Sequence, residues 1–238
     1  MTATPNAWTV ELDTTPDRSQ SQEEFLLHRP GADTERIALH DYATVYAVPG
    51  LYEEVVQRRL ECSSPATVAS ALAEAAGERV TGLRAFDLGA GNGVVGEELT
   101  ARGVTVVVGA DGIAEARDAA HRDRPQLYRH YLVGQRLDSG EVLNLVADEG
   151  LNALVAAGAV GQGHVPVEAL GELWDAFGSG SHLALTVSDV DGRSDLADVE
   201  AMLARRSTTR VLIRRHFRHR LSMAGAELFY VVLVAVKD

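Results

Sequence analysis

The stretch Phe86-Asp-Leu-Gly-Ala-Gly-Asn-Gly-Val-Val95 decides the fold of this chain. It has the pattern of a buried strand that ends in a carboxylate, followed by three glycines at alternate positions and the start of a helix. Glycines at such a turn let the backbone approach a ligand closely, because a Cβ atom there would collide with it. An acidic strand end before this turn is typical of nucleoside-binding sites in open α/β sheets.

Strands and helices alternate around this motif. Apolar runs predict strands at residues 83–88, 104–109, 128–133, 151–157 and 182–187. One-sided apolar spacing predicts helices near residues 96–101, 114–121, 141–148, 167–177 and 195–205. Strands separated by helices imply right-handed crossovers and a parallel sheet that is covered on both faces.

The C-terminal part breaks this alternation. Two strand-like runs at residues 209–222 and 227–236 are joined by a linker too short for a crossover helix, which predicts an antiparallel hairpin. The basic stretch 205–220 lies mostly in the first run, where charged side chains protect an edge strand from aggregation; a nucleic-acid contact is the weaker interpretation. The fold predicted is α/β: a doubly wound, mostly parallel seven-stranded sheet with helices on both faces and a C-terminal antiparallel hairpin.

The bulk composition excludes several classes of protein. The net charge of -12 disfavours a nucleic-acid binder, because neutralising phosphates requires an excess of Lys and Arg. No run approaches the length of a membrane span, and no basic-then-apolar signal begins the chain. A single cysteine, Cys62, suits a reducing cytoplasm and is interpreted as a partly buried, unreactive thiol. We therefore expect a cytoplasmic protein that binds neither membrane nor nucleic acid.

The N-terminal part has a different composition. Residues 1–36 are rich in Thr, Ser, Asp, Gln and Pro, which predicts a mobile or loosely packed segment, with a short strand-like run at 8–12. Residues 37–80 carry apolar groups three and four apart and the helix start Ser64-Pro65, which predicts a helical segment. The α/β domain then comprises residues 81–238.

Two nucleoside cofactors fit the glycine turn. Gly91, Gly93 and Gly96 match the dinucleotide pattern G-x-G-x-x-G, and Asp111 follows at the spacing of a ribose-binding acid. This predicts an NAD(P)-dependent oxidoreductase. In the other frame the motif begins at Asp87, whose carboxylate suits a ligand with a positively charged amino-acid end better than a pyrophosphate.

The second frame resembles the glycine-rich motif of class I S-adenosylmethionine-dependent methyltransferases. The resemblance extends from about residue 42 to the C-terminus, in the same order and spacing. Residues 107–120 are similar to the second strand, ribose-binding acid and following helix of the family, and residues 151–160 to its fourth strand and the loop after it. Residues 177–185 resemble the turn into the fifth strand, and the terminal hairpin resembles the reversed seventh strand.

The resemblance implies a role for each matching position. Asp87 and the glycine turn would hold the methionine part of the cofactor, with Asp87 reaching the amino group directly or through water. Asp111 would accept hydrogen bonds from both ribose hydroxyls, and Ile113 would pack on the adenine. Gln135 stands near the position where family members often carry an acid that recognises adenine. The cofactor-binding residues implied are Tyr46, Asp87, Gly89, Ala90, Gly91, Gly93, Asp111, Gly112, Ile113, Gln135, Arg136, Leu137, Gly158 and Ala159.

Other interpretations of these residues stay open. Asp87 and Asp111 could cap helices or form turns, and Gln135 and Arg136 could be ordinary surface residues. The phrase Asp41-Tyr-Ala-Thr-Val-Tyr46 resembles the aromatic lid of the family, although both tyrosines could simply pack against the core.

The catalytic residues are not identified by the sequence. The weak candidate is His164, in the loop after the fourth strand, which could act as a general base or be an exposed loop histidine.

The resemblance implies a function and a cofactor. The chain would transfer a methyl group from S-adenosylmethionine to an O, N or S nucleophile of a small molecule by in-line displacement, releasing S-adenosylhomocysteine. No metal is required, and homodimerisation is left open. Residues 37–80 would then form a lid on the substrate side. A protein that binds the cofactor without turnover is a further alternative.

Overall fold

The strand of the glycine motif lies at the centre of the larger of two sheets. The computed structural model describes residues 7–16, 18–161, 163–189 and 195–238. The strands are β1 (Thr9–Leu12), β2 (Glu24–His28), β3 (Glu35–Ala38), β4 (Arg84–Leu88), β5 (Thr105–Asp111), β6 (His130–Val133), β7 (Ala153–Ala157), β8 (His182–Ser188), β9 (Thr209–Leu221) and β10 (Glu227–Lys237).

Helices connect the strands of the large sheet and precede it. The α-helices are α1 (Tyr42–Ala47), α2 (Ser64–Ala76), α3 (Val94–Thr100), α4 (Ala114–Asp123), α5 (Gly140–Asp148), α6 (Val167–Asp175) and α7 (Asp195–Ala204). A π-helix, Glu53–Arg59, lies between α1 and α2. No helix in the described part of the chain is long and apolar enough to cross a membrane.

The large sheet has the order β6-β5-β4-β7-β8-β10-β9. The strands from β6 to β8 are parallel to one another, and β10 is antiparallel to both of its neighbours. The predicted seven-stranded, mostly parallel sheet and the C-terminal hairpin are confirmed. The chain passes outward from β4 through β5 to β6 and then returns to β7 on the other side, which places a topological switch point between β4 and β7.

Apolar side chains cover both faces of this sheet. On one face, helices α5, α6 and α7 pack on Phe86, Leu154 and Leu185. On the other face, helices α2 and α3 pack on Ala85 and Val155. Successive side chains of a strand point to opposite faces, so an apolar run buries both of them. The doubly wound arrangement therefore follows from the uninterrupted apolar strands of the sequence.

The N-terminal segment differs from its expected loose packing. Residues 1–6 and 17 lie outside the described residues, but β1, β2 and β3 form an antiparallel three-stranded sheet. Phe25 and Leu27 of β2 are fully buried, and they belong to one cluster with Leu51 and Met223. The prediction failed because the strands are short and lie between polar loops, while the partners that bury them are distant in sequence.

Strand β9 forms the edge of the large sheet, as predicted for the basic stretch. Most of its arginines pair with acids, for example Arg214 with Glu200 and Arg215 with Glu74. Arg220 is an exception to the expected exposure of this face: it is 4% exposed and paired with the equally buried Glu23 at 2.6 Å. The N-terminal sheet covers this end of β9, and the local alternation of the sequence does not reveal that cover.

Candidate functional site

The principal cavity opens at the carboxyl ends of β4, β5 and β7, beside the switch point. Its volume is about 510 Å³, which lies in the range of small-molecule sites. The glycine turn after β4, the acid that ends β5 and the loop after β7 contribute Gly89, Asp111 and Gly158 to its wall. Carboxyl ends of parallel strands at a switch point are the usual location of a ligand in an open α/β sheet.

The glycine turn is held against the neighbouring strand and loop. Gly89 has a φ of 72°, and its amide donates to the carbonyl of Ala110 over 2.8 Å. A Cβ atom at Gly89 would lie 2.3 Å from the Cβ of Ala159, in the loop after β7. This position therefore requires glycine both for its left-handed backbone and for the close approach of the two loops.

Asp111 lies at the polar centre of the cavity. Its Oδ2 accepts from the amide of Gly91 over 3.0 Å, and its Oδ1 accepts from the amide of Ile113 over 3.3 Å. Burial raises the pKa of Asp111, and the bond from Gly91 opposes that shift. A carboxylate has about four acceptor sites, so these backbone bonds leave Asp111 some acceptor capacity for a ligand. Asp111 can therefore form the turn and bind a ligand at the same time.

Asp87, unlike Asp111, is closed off from the cavity. It is fully buried behind the glycine turn, and Tyr128 Oη donates to its Oδ2 over 2.7 Å. Burial raises the pKa of Asp87 to about 7, although the hydrogen bond from Tyr128 lowers it. The carboxyl group does not line the cavity.

Three tyrosines cover the cavity from the N-terminal side. Tyr42 and Tyr46 of α1 stack with ring centroids 5.9 Å apart, and Tyr52 lies 5.0 Å from Tyr46 by the same measure. Helix α1 packs on α4, where Arg122 donates to the carbonyl of Tyr46. A Cβ atom at Gly91 would lie 2.3 Å from Tyr46 Oη, so this tyrosine rests directly on the glycine turn.

The π-helix is tied to the same turn by an acid. Glu53 Oε1 accepts from Asn92 Nδ2 over 2.6 Å and from Arg124 Nη1 over 2.9 Å. Arg124 also donates to the carbonyl of Asn92. These bonds join the segment that carries the tyrosines to the glycine turn and to the end of α4.

The other end of the cavity is apolar. Leu132, Leu137 and Val142 line it, with a polar rim at Gln135 and Arg136. Both rim residues are exposed: Gln135 bonds Glu141 and Arg136 bonds Asp138. Gln135 and Arg136 are therefore surface residues that also lie at the mouth of the cavity.

A second, smaller chamber of about 100 Å³ adjoins the first. The two share Gly89, Gly158, the three tyrosines and the exposed His164. The ring centroid of His164 lies 6.4 Å from that of His40. A group that lines both chambers can contact ligands in either, so His164 occupies a position suited to a general base.

The structure brings most of the sequence-predicted site residues together. Those that line the principal cavity are Tyr46, Gly89, Asp111, Gly112, Gln135, Arg136, Leu137, Gly158 and Ala159. Ala90 lines the second chamber. Among the described residues, the predicted ones that line neither are Asp87, Gly91, Gly93 and Ile113. Ile113 instead packs with Tyr46, Ala116 and Ala119. Its proposed contact with adenine is not favoured by this position.

Other lining residues were not predicted from the sequence. They include Tyr52, Leu132, Val142, Val165, Pro166 and Ala169. Except for Tyr52, these have apolar side chains of ordinary helices, strands and loops, and nothing in their spacing marks them as ligand contacts. Among the described residues, no group of three or more His, Cys, Asp or Glu side chains could hold a metal ion.

Comparison with solved structures identifies the same architecture elsewhere. Magnesium protoporphyrin IX methyltransferase from Synechocystis PCC 6803, with bound S-adenosylmethionine, is 18% identical; the match covers 73% of this chain and 79% of that chain, with a TM-score of 0.51. A Pyrococcus horikoshii protein described as a candidate RNA methyltransferase is 14% identical over 72% and 81% of the two chains, with a TM-score of 0.53. No family model and no curated protein matches the sequence. The chain has the fold of the class I S-adenosylmethionine-dependent methyltransferases, as its sequence predicted.

Proposed function

We propose that this chain, folded as a class I methyltransferase, binds S-adenosylmethionine in the principal cavity and transfers its methyl group to a small molecule. The observation that supports this most strongly is Asp111, a carboxylate that lines the cavity between the glycine turn and an apolar pocket end and is oriented by backbone amides. A ribose diol needs such an acceptor, and an adenine ring suits the apolar end.

The cavity wall fits the cofactor in its chemistry. Asp111 would hold the ribose, while Leu132, Leu137 and Val142 would pack on the adenine. Open space adjoins Gly112 and Gly158, where no other atom lies within 4 Å of a Cβ position. Asp87 would support the turn from behind, or act on the amino group through water. Gly91 and Gly93 would shape the turn, and the other predicted residues that line the principal cavity would contact the cofactor.

The chain's own residues would then position the acceptor and manage its proton. The cofactor supplies an electrophilic methyl on a sulfonium. Tyr42, Tyr46 and Tyr52 would exclude water from the junction of the two chambers, and His164 would accept the acceptor's proton. Holding two reactants in line lowers the activation barrier by up to ~7–11 kcal/mol in oriented model reactions. Methyl transfer here therefore does not require further catalytic residues.

Two observations favour a small acceptor over a macromolecule. The second chamber is small and lies beneath the tyrosines rather than on an open face. The net charge of -12 also opposes contact with a phosphate backbone.

The dinucleotide alternative receives less support from the site. Gly96, the last glycine of that pattern, faces Tyr128, whose Oη lies 2.8 Å from a Cβ position at Gly96. The turn's later glycines lie outside the cavity lining, so a pyrophosphate there would have to displace packed aromatic side chains.

Calorimetric titration with S-adenosylhomocysteine tests the proposal. We expect micromolar binding by the wild type and at least ~10-fold weaker binding by Asp111→Asn, because hydrogen bonds to a charged group contribute ~1.5–3 kcal/mol. The control Asp118→Asn changes an exposed acid of α4 that pairs with Arg117, and it should bind as the wild type does.

Titrations with both cofactors, together with a turnover assay, distinguish the methyltransferase from the oxidoreductase and from the non-catalytic binding protein. Binding of NAD(P) without binding of S-adenosylhomocysteine would select the oxidoreductase. Cofactor binding without turnover on a broad panel of acceptors would select a binding protein. Equal affinity of the wild type and Asp111→Asn would refute the assigned site.

A further inference from the structure

The floor of the second chamber is built around His219, a residue that no local pattern singles out. In the β9–β10 pairing, Leu228 opposes Arg220 and Phe229 opposes Arg218, so His219 is the extra residue of a β-bulge. Bulges redirect side chains next to functional sites. The His219 ring lines the chamber and stacks on Tyr230 with centroids 3.9 Å apart.

A buried chain of hydrogen bonds leads from the cofactor cavity to this histidine. The Gly158 amide donates to Thr186 Oγ1 over 2.9 Å, and Thr186 Oγ1 donates to Ser64 Oγ over 3.4 Å. Ser64 Oγ lies 2.7 Å from His219 Nδ1. Ser64 can donate to Nδ1 or accept from it, because a hydroxyl group has one hydrogen and two lone pairs; in either tautomer it holds the His219 ring in place. Burial lowers the pKa of His219 to about 3, assisted by Arg220, so the ring is neutral at pH 7.

The charges around the chamber oppose a cationic ligand. Of the described residues that line it, none is an aspartate or a glutamate. Its Arg220 is neutralised by Glu23, which removes any need for an anionic ligand as well. Aromatic rings lie on both sides: Tyr42 and Tyr46 on the lid, His219 and Tyr230 on the sheet.

On the premise of the proposed methyl transfer, we propose that the second chamber is the acceptor site and that its acceptor is a small, uncharged phenol. The aromatic walls favour a flat ring, which packs on them in offset or edge-to-face geometry. A cavity of 150 Å³ is known to hold benzene, so a single ring would fill the chamber of about 100 Å³ and extend into the adjoining larger cavity. The His219 ring, held by Ser64, forms the sheet-side wall against which that ring packs.

The proposed base, His164, also favours a phenol as the acceptor. The phenol oxygen forms the new bond to the methyl carbon, the sulfonium carbon–sulfur bond breaks with its electron pair left on sulfur, and the phenol proton passes to His164. An imidazole removes a proton readily from a phenol, with a pKa of about 10, but poorly from an aliphatic alcohol, which resembles water at about 15.7. An alkylamine is cationic at pH 7, and this chamber offers it no carboxylate.

Binding to protein saturated with S-adenosylhomocysteine tests the site without relying on turnover. Ligand-observed NMR with phenol as the probe should detect binding, and Ser64→Ala should weaken it about 5-fold, because the His219 wall loses the hydrogen bond that holds it in place. The matched control is Ser63→Ala, whose hydroxyl donates to the Arg218 carbonyl outside the chamber; phenol should bind this variant as it binds the wild type. Thermal unfolding confirms that both variants fold.

A methylation assay with phenol, benzyl alcohol and benzylamine tests the acceptor class. We expect kcat/KM for phenol to exceed that for benzyl alcohol and benzylamine at least 100-fold. Preference for the amine or the alcohol overturns the phenol assignment, as does the absence of phenol binding to the saturated protein. Either result leaves S-adenosylhomocysteine binding intact, whereas loss of that binding refutes the underlying methyltransferase proposal.

Discussion

Asp87 and Asp111 lie near the carboxyl ends of neighbouring strands of the large sheet, but their surroundings differ. Asp111 keeps part of its carboxylate accessible to the cavity, and backbone amides from its own turn and the glycine turn orient it. Asp87 faces Tyr128 in a fully buried site. Part of the difference follows from position, because Asp87 pairs with Gly109, two residues before Asp111, and therefore lies deeper in the sheet.

The buried Asp87 should make stability depend on pH. Its pKa in the folded protein is about 7 against 3.8 for the ordinary group, so the folded state binds the proton more tightly between these values. Stability should therefore fall as pH rises from about 4 to about 7, by at most ~4 kcal/mol from this group. Asp87→Asn removes the titration and can still accept from Tyr128.

Urea unfolding of both proteins across this pH range measures the effect. We expect the stability of Asp87→Asn relative to the wild type to increase steadily from pH 4 to pH 7. A difference that stays constant with pH would show that Asp87 ionises normally in the folded protein.

At the scale of elements, the glycine turn and the loop after β7 form one wall because their backbones touch. The left-handed Gly89 leaves no room for a side chain against Ala159. The lid elements are attached to the same wall, α1 through Tyr46 and the π-helix through Glu53. A change in the spacing of these two loops should therefore alter both chambers at once.

Gly89→Ala tests this contact, with Gly31→Ala as its control. Both glycines have a left-handed backbone, with φ of 72° and 75°, but no atom lies within 4 Å of a Cβ at Gly31. The control should lose ~1–2 kcal/mol of stability from backbone strain alone. Gly89→Ala should lose at least ~2 kcal/mol more and bind S-adenosylhomocysteine more weakly. Equal losses in urea unfolding would refute the close approach.

At the scale of the whole molecule, the N-terminal sheet is fastened to the C-terminal hairpin. Glu23 accepts from Arg220 Nη2 over 2.6 Å and from the Met223 amide over 2.7 Å, and the pair is almost completely buried. This contact closes the end of the molecule at which the second chamber lies, since Arg220 and the adjacent His219 both line that chamber.

Breaking this pair should be costly. Glu23→Gln leaves the Arg220 guanidinium buried without a counter-charge, which should lower the free energy of unfolding by about 3–5 kcal/mol. The control Glu74→Gln breaks the pair with Arg215, in which both side chains are more than half exposed, and should change stability by less than ~1 kcal/mol. Similar effects of the two substitutions in urea unfolding would contradict the burial of Glu23 and Arg220.

The sequence by itself determined the central architecture and the core of the site. The apolar strands, the spaced helices and the motif from Phe86 to Val95 predict the elements of the large sheet and their order along the chain, because periodicity and turn chemistry act over a few residues. The same local rules place Asp111 at a strand end beside the glycine turn. Since carboxyl ends of parallel strands share one edge, the approximate position of the cavity follows.

Only the tertiary structure decided how the ends of the chain complete that site. Glu23 and Arg220 are 197 residues apart, and Ser64 and His219 are 155 residues apart. A polar composition near the N-terminus carries no information about which distant surface will cover it, and so it predicted a loose segment where a sheet forms. The second chamber depends on these long-range contacts, because its walls come from segments that are distant in sequence, and no local pattern predicts that they pack together.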